Sequence, residues 1–256
     1  MKFAAFLLEN TVSNGQYKTA ITEEKAIELI KEHCSKVKKP FYRGMKKQTS
    51  QFYIFQGDKG SRWSSTHKES GNYYNTLMDK FIQEKGANLP LRTKSIICAN
   101  QANYNHIDHF GNQQFVVFPY DDTVIGYLPA FDIWHCKLKL GARPIEFLDF
   151  NELLSNVGSI NSLDYDKLID DIKRVISDDY IAPNGLALTS SKTLKSYFKD
   201  GDVEDILRKA FNEVGFFFGD ASKDDNQERE VWIGGPCVAI ELNTYYKLEN
   251  EIKKGI

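Results

Sequence analysis

Glu228-Arg229-Glu230-Val231-Trp232-Ile233-Gly234-Gly235-Pro236 is the stretch that decides how this chain folds. Two glutamates two residues apart lead straight into an apolar run. On a strand they point to the same side, and Val231 and Ile233 fill the opposite face. Gly234 to Pro236 break the run, and Cys237 to Leu242 read as a second strand. One carboxylate so placed could oppose a cationic transition state while the other orients an acceptor. A strand end with solvated charges accounts for the same residues.

Upstream, Phe41-Tyr42-Arg43-Gly44-Met45 reads as a short strand after a helix that starts at Thr22 and stops at Pro40. Arg43 stays charged between aromatic neighbours and needs an anion, either a core carboxylate or a ligand phosphate. Gln51 to Gln56 is a candidate strand, Asp58 to Gly71 a polar loop, and Asn72 to Lys85 a helix closed by Gly86 and Pro90. Ser95 to Ala99 reads as a buried strand, Gln101 to His109 as a short polar helix closed by Gly111, and Gln114 to Phe118 as the next strand. Val124 to Leu128 and Ile133 to Leu138 are expected to extend the sheet. Glu146 to Val214 is expected to be mostly helical, and Asp220 to Gln227 a charged loop.

These runs, with no repeat and no clear linker, predict one α+β domain over 1–256, carrying a helical insertion at about 146–214. The 256 residues are enough to bury a real core. A net charge of −2 excludes a polycationic nucleic-acid binder. It leaves room for a local basic cluster at Lys36, Lys38, Lys39, Lys46 and Lys47, best read as solvated surface. Cys34, Cys98, Cys136 and Cys237 lack CxxC spacing, so a reducing, cytoplasmic compartment is expected. Phe3 to Leu8 reads as a strand rather than a signal peptide. No apolar run approaches the ~20 residues of a membrane helix.

The strand ending in Tyr42-Arg43-Gly44 and the late Glu228-x-Glu230 with its apolar strand and Pro236 resemble the Arg-Ser-Glu class of ADP-ribosyltransferases. The stretch from Arg62 to Tyr74, the Lys94-Ser95-Ile96-Ile97-Cys98 strand and the Val117-Phe118-Pro119-Tyr120-Asp121 turn are similar to phage-encoded relatives of that class. The resemblance spans about Phe41 to Val238, but only three short patches are specific. It implies a split β-sandwich with helices around an NAD cleft, and transfer of ADP-ribose from NAD to a macromolecular acceptor, a protein arginine or a nucleic acid such as RNA. A toxin or phage effector acting in a bacterial cell fits that family, and no metal is required.

By that resemblance Arg43, with Arg62, holds the NAD diphosphate, and Gly44 lets backbone approach the nicotinamide amide. Glu230 contacts the nicotinamide ribose and drives cleavage, while Glu228 orients the acceptor. Glu230 is then expected to face Arg43 across the cleft, with Glu228 on the same side nearer the rim. The family's Ser-Thr-Ser element has no literal match. Ser95 to Gln101 takes its place by order and spacing, with Asn100 for the serine, in preference to Ser64-Ser65-Thr66. A catalytically silent binding protein on the same fold and an NAD glycohydrolase are the rival readings. His106 and His109 on one helical face lack a third metal ligand. No Rossmann, Walker or Gly-x-Ser-x-Gly motif is present.

Overall fold

The computed structural model describes residues 17–57, 73–102, 113–130, 133–141, 143–157, 160, 164–220 and 227–254. The Phe3–Leu8 strand, the 58–71 loop and the short helix expected at 101–109 fall almost wholly outside them.

In chain order the elements are β1 (Tyr17–Ala20), α1 (Glu23–His33), β2 (Phe41–Met45), β3 (Phe52–Gln56), α2 (Tyr73–Lys85), β4 (Ile96–Ala99), β5 (Gln113–Pro119) and β6 (Ile125–Tyr127). They continue with β7 (Lys137–Leu140), β8 (Arg143–Glu146), α3 (Phe147–Asn156), α4 (Tyr165–Ile176), α5 (Gly185–Phe198), α6 (Val203–Glu213), β9 (Phe217–Gly219), β10 (Glu230–Ile233), β11 (Pro236–Glu241) and α7 (Leu242–Lys253). The fold is α+β, with a large antiparallel sheet and seven helices among the described residues.

By contacts the chain divides into two compact units. The first comprises Met1–Arg62, Asn88–Phe131 and Phe217–Ile256; the second comprises Trp63–Ala87 and Asp132–Phe216. The helical stretch expected at 146–214 falls inside the second unit, which begins earlier and also includes the α2 segment.

In the first unit nine strands join in the order β1-β3-β11-β5-β2-β4-β10-β6-β9, every neighbouring pair antiparallel. Register fixes which side chains share a face, because alternate residues point to opposite sides. Tyr42, Val116 and Ile240 lie in one row. Tyr245 of α7 packs on Phe118, two residues along from Val116, with ring centroids 5.8 Å apart, so α7 covers that face. Phe41, Val117, Ala239 and Tyr53 form the neighbouring row, on the other face. The β2–β4 junction is a narrow seam, paired through the single row Tyr42–Ala99. Gly57, just past β3, closes against the far half of the sheet: a Cβ there would stand 2.4 Å from the Ile233 carbonyl oxygen. Only glycine permits that approach.

The second unit holds α2 to α6 and the β7–β8 hairpin. Asp164, Asn184 and Asp202 cap α4, α5 and α6 by accepting from backbone amides, as a short polar residue before an apolar-periodic run leads one to expect. The expectation that Ile133–Leu138 extends the large sheet is corrected here. Ile133–His135 is a 3-10 turn, and Lys137–Leu140 pairs with Arg143–Glu146 alone. The hairpin turns at Gly141, whose φ of 60° needs no Cβ penalty. Lys137 and Lys139 are exposed while Leu138 and Leu140 are buried, so this strand packs its apolar side within the helical unit.

Candidate active site

Three strands place the sequence-predicted residues side by side. β2 carries Arg43 and Gly44, β4 follows Ser95 and precedes Asn100, and β10 begins at Glu230; the three are neighbours in that order. Tyr42 pairs with Ala99, and Ala99 pairs with Glu230. The row Tyr42–Ala99–Glu230 therefore points to one face, and Arg43, the next residue on β2, points to the other.

Glu230 is 4% exposed. Its Oε1 accepts from Arg92 Nε at 2.9 Å and from Trp232 Nε1 at 2.7 Å. Arg92 and Trp232 are buried as well. Trp232 shares the face of Glu230 because it lies two residues along the strand. Arg92 comes from a 3-10 turn, Arg92–Lys94, just before β4. An ion pair so deep in the structure survives only with good geometry, which the two donors on one oxygen supply.

Glu228 is exposed and precedes β10, so it lies off the strand that was expected to align it with Glu230. The expected facing of Glu230 and Arg43 across a cleft is likewise not what the register allows. The physical reason is the one-residue offset: Arg43 follows the paired residue Tyr42, and Glu230 is itself the paired residue.

Asn100 stands at the end of β4 and fastens the approach to β10. Its Oδ1 accepts from the Arg229 amide at 2.8 Å, and its Nδ2 donates to the Gln227 carbonyl at 2.6 Å. Arg229 donates through Nη1 to the Leu128 carbonyl at 3.1 Å and lies over the Phe217 ring. Ser95 is buried and its Oγ donates to the Leu91 carbonyl at 2.6 Å, a turn contact. Gly44 is buried on β2 opposite Gln114. Arg62, Ser64-Ser65-Thr66, His106 and His109 lie outside the described residues.

Arg43 is 8% exposed. Its Nη1 donates to the Ile97 carbonyl, and its Nε, fully buried, has no hydrogen-bond partner. Burial pulls its pKa below the usual guanidinium value.

Sequence reasoning missed Arg92 and Trp232. Trp232 could have been found from its spacing, since the residue two beyond a strand glutamate shares its face. Arg92 carries no such signal, because it meets Glu230 across 138 residues of sequence. Among the described residues no group of three or more His, Cys, Asp or Glu is placed to hold a metal ion. None of the described helices is long and apolar enough to cross a membrane. Compared with known proteins, the chain matches no family, no curated protein and no solved structure.

Proposed function

We propose that this protein is a mono-ADP-ribosyltransferase on a split β-sandwich, cleaving NAD at the nicotinamide–ribose bond and passing ADP-ribose to a protein or nucleic-acid acceptor. The observation that carries the reading is the adjacency of β2, β4 and β10, which collects the Tyr42-Arg43-Gly44, Ser95–Asn100 and Glu230 segments that resemble the transferase motifs. A split sandwich would part at the single-row seam between β2 and β4.

In this reading the C1′–N bond of the nicotinamide ribose breaks and nicotinamide leaves as a neutral molecule. Positive charge develops on the ribose, and a carboxylate there stabilises it only as it forms. Glu230 supplies that carboxylate after exchanging one of its contacts to Arg92 and Trp232 for the ribose hydroxyl. The acceptor nucleophile attacks C1′, and exposed Glu228 takes its proton. Asn100 holds the Gln227–Arg229 segment that carries Glu228.

A second reading has its own observation. Glu230 is buried and bonded to Arg92 and Trp232, which suits a catalytically silent binding protein whose glutamate has become a core anchor. Incubation with labelled NAD and separate pools of protein, RNA and DNA decides between them. Label in one pool supports transfer. Nicotinamide release without labelled macromolecule supports an NAD glycohydrolase, and no turnover in any pool supports the silent protein.

A further inference from the structure

The row Ile97–Trp232–Gly126–Phe218 crosses β4, β10, β6 and β9, on the face of the sheet that carries Glu230. In it a glycine stands between two large aromatic residues. A Cβ on Gly126 would lie 3.1 Å from Trp232 Cε3, 3.3 Å from Pro90 Cγ and 3.4 Å from Phe218 Cε1. Three rings converge on bare backbone, and the missing side chain is the seat of the indole. Trp232 is 1% exposed, and close packing holds its two side-chain torsions. From that seat its Nε1 donates to Glu230 Oε1 at 2.7 Å.

The other donor to the same oxygen, Arg92 Nε at 2.9 Å, is built differently. Arg92 reaches Glu230 from the turn before β4, on a long side chain with many rotamers to choose from. In the transferase reading Glu230 takes a ribose hydroxyl in place of one of these donors. Arg92 has the freedom to yield, and the wedged indole does not. A carboxylate left without a fixed donor would turn about its own bond and meet the ribosyl cation out of line. Misplacement of that kind is costly in rate, because the charge must already be aimed where the cation forms.

We infer that Trp232 is the positioning residue for Glu230: seated on Gly126, its indole N–H keeps the carboxylate aimed while Arg92 gives way to the substrate. The part it plays in the reaction rests on the transferase reading above. The contact itself does not, since it is a hydrogen bond between two buried side chains on one strand.

Nicotinamide release and the indole N–H resonance, measured on the full chain, test it together. Trp232→Phe keeps a buried ring and removes the N–H. Gly126→Ala keeps the N–H and presses the indole off its seat. Below the melting transition of each variant, Trp232→Phe is expected to lower kcat about tenfold or more, the worth of a hydrogen bond to a charged group, with KM for NAD nearly unchanged. Gly126→Ala should lower kcat in the same direction, and it carries the test if Trp232→Phe does not fold. A purely structural tryptophan would lower the melting temperature and leave kcat alone. The Trp232 indole resonance, assigned by its loss in Trp232→Phe, should move upfield in Glu230→Gln, where a neutral oxygen replaces the carboxylate. Wild-type kcat in Trp232→Phe overturns the inference, as does an indole resonance that Glu230→Gln leaves in place. No nicotinamide release by wild type, with the indole shift present, removes the transferase reading and leaves Glu230 held by Trp232.

Discussion

Arg43 and Glu230 stand on the two strands that flank β4 in the same sheet and point to opposite faces of it. The row Tyr42–Ala99–Glu230 decides this, since Arg43 is one residue out of that row. One side of the sheet therefore holds Arg43, donating to the Ile97 carbonyl, and the other holds Glu230, bonded to Arg92 and Trp232.

The Arg92–Glu230 contact is expected to matter for stability. Arg92→Met removes the cation from a buried carboxyl group, and breaking a pair at this depth costs about 3–5 kcal/mol. The double variant Arg92→Met, Glu230→Leu removes both buried charges and takes the acceptor only from Trp232 Nε1, so it should recover part of that loss. Urea unfolding of the two variants measures it. A single substitution costing under about 1 kcal/mol, in the range of an exposed pair, contradicts a stabilising buried contact.

Asn100→Ala is expected to loosen the approach to β10. It removes the acceptor for the Arg229 amide and the donor to the Gln227 carbonyl, at about 1 kcal/mol each. Hydrogen exchange at the Arg229 amide should speed up while exchange at Val231 and Ile233 stays slow. Equal protection of Arg229 in both proteins means that Asn100 does not hold this segment.

Much of this arrangement is legible in the sequence, and the misses have physical causes. Thr22 before an apolar-periodic run marks the start of α1, and its Oγ1 does accept from the Lys25 amide. Short apolar runs mark β2, β4, β5, β10 and β11, because fully buried strands need little else. Lys137–Leu140 looks the same locally, yet it leaves the large sheet, since pairing partners are chosen by tertiary contacts rather than by strand propensity. Glu230 stands out as a charge at the head of an apolar strand. Its pairing with Arg92 does not, because periodicity carries no information about a contact 138 residues away.

Acid should weaken the tie between α1 and the β5–β6 turn. Burial pushes the Asp121 carboxyl up, but hydrogen bonds from Ser35 Oγ and from the Lys36 and Ser35 amides, with the charge of Lys36, outweigh it and leave the pKa below the usual aspartate value. A group depressed in the folded state adds stability that is present above its unfolded pKa and is lost as pH falls through the folded one. Melting temperatures of wild type and Asp121→Asn should therefore differ most at neutral pH and converge below about pH 4, the ordinary aspartate range. A gap that stays constant with pH shows that the carboxylate charge plays no part.

The most direct measurement of the transferase claim is nicotinamide release from NAD by wild type and by Glu230→Gln, with NAD affinity measured alongside. Glutamine keeps the size of Glu230 and an acceptor oxygen for Arg92 and Trp232, but removes the charge that opposes the ribosyl cation. The account predicts that release falls about 10²-fold or more while NAD affinity stays nearly unchanged, because the lost interaction exists mainly in the transition state. Release at the wild-type rate in Glu230→Gln, or no release by wild type at all, contradicts it.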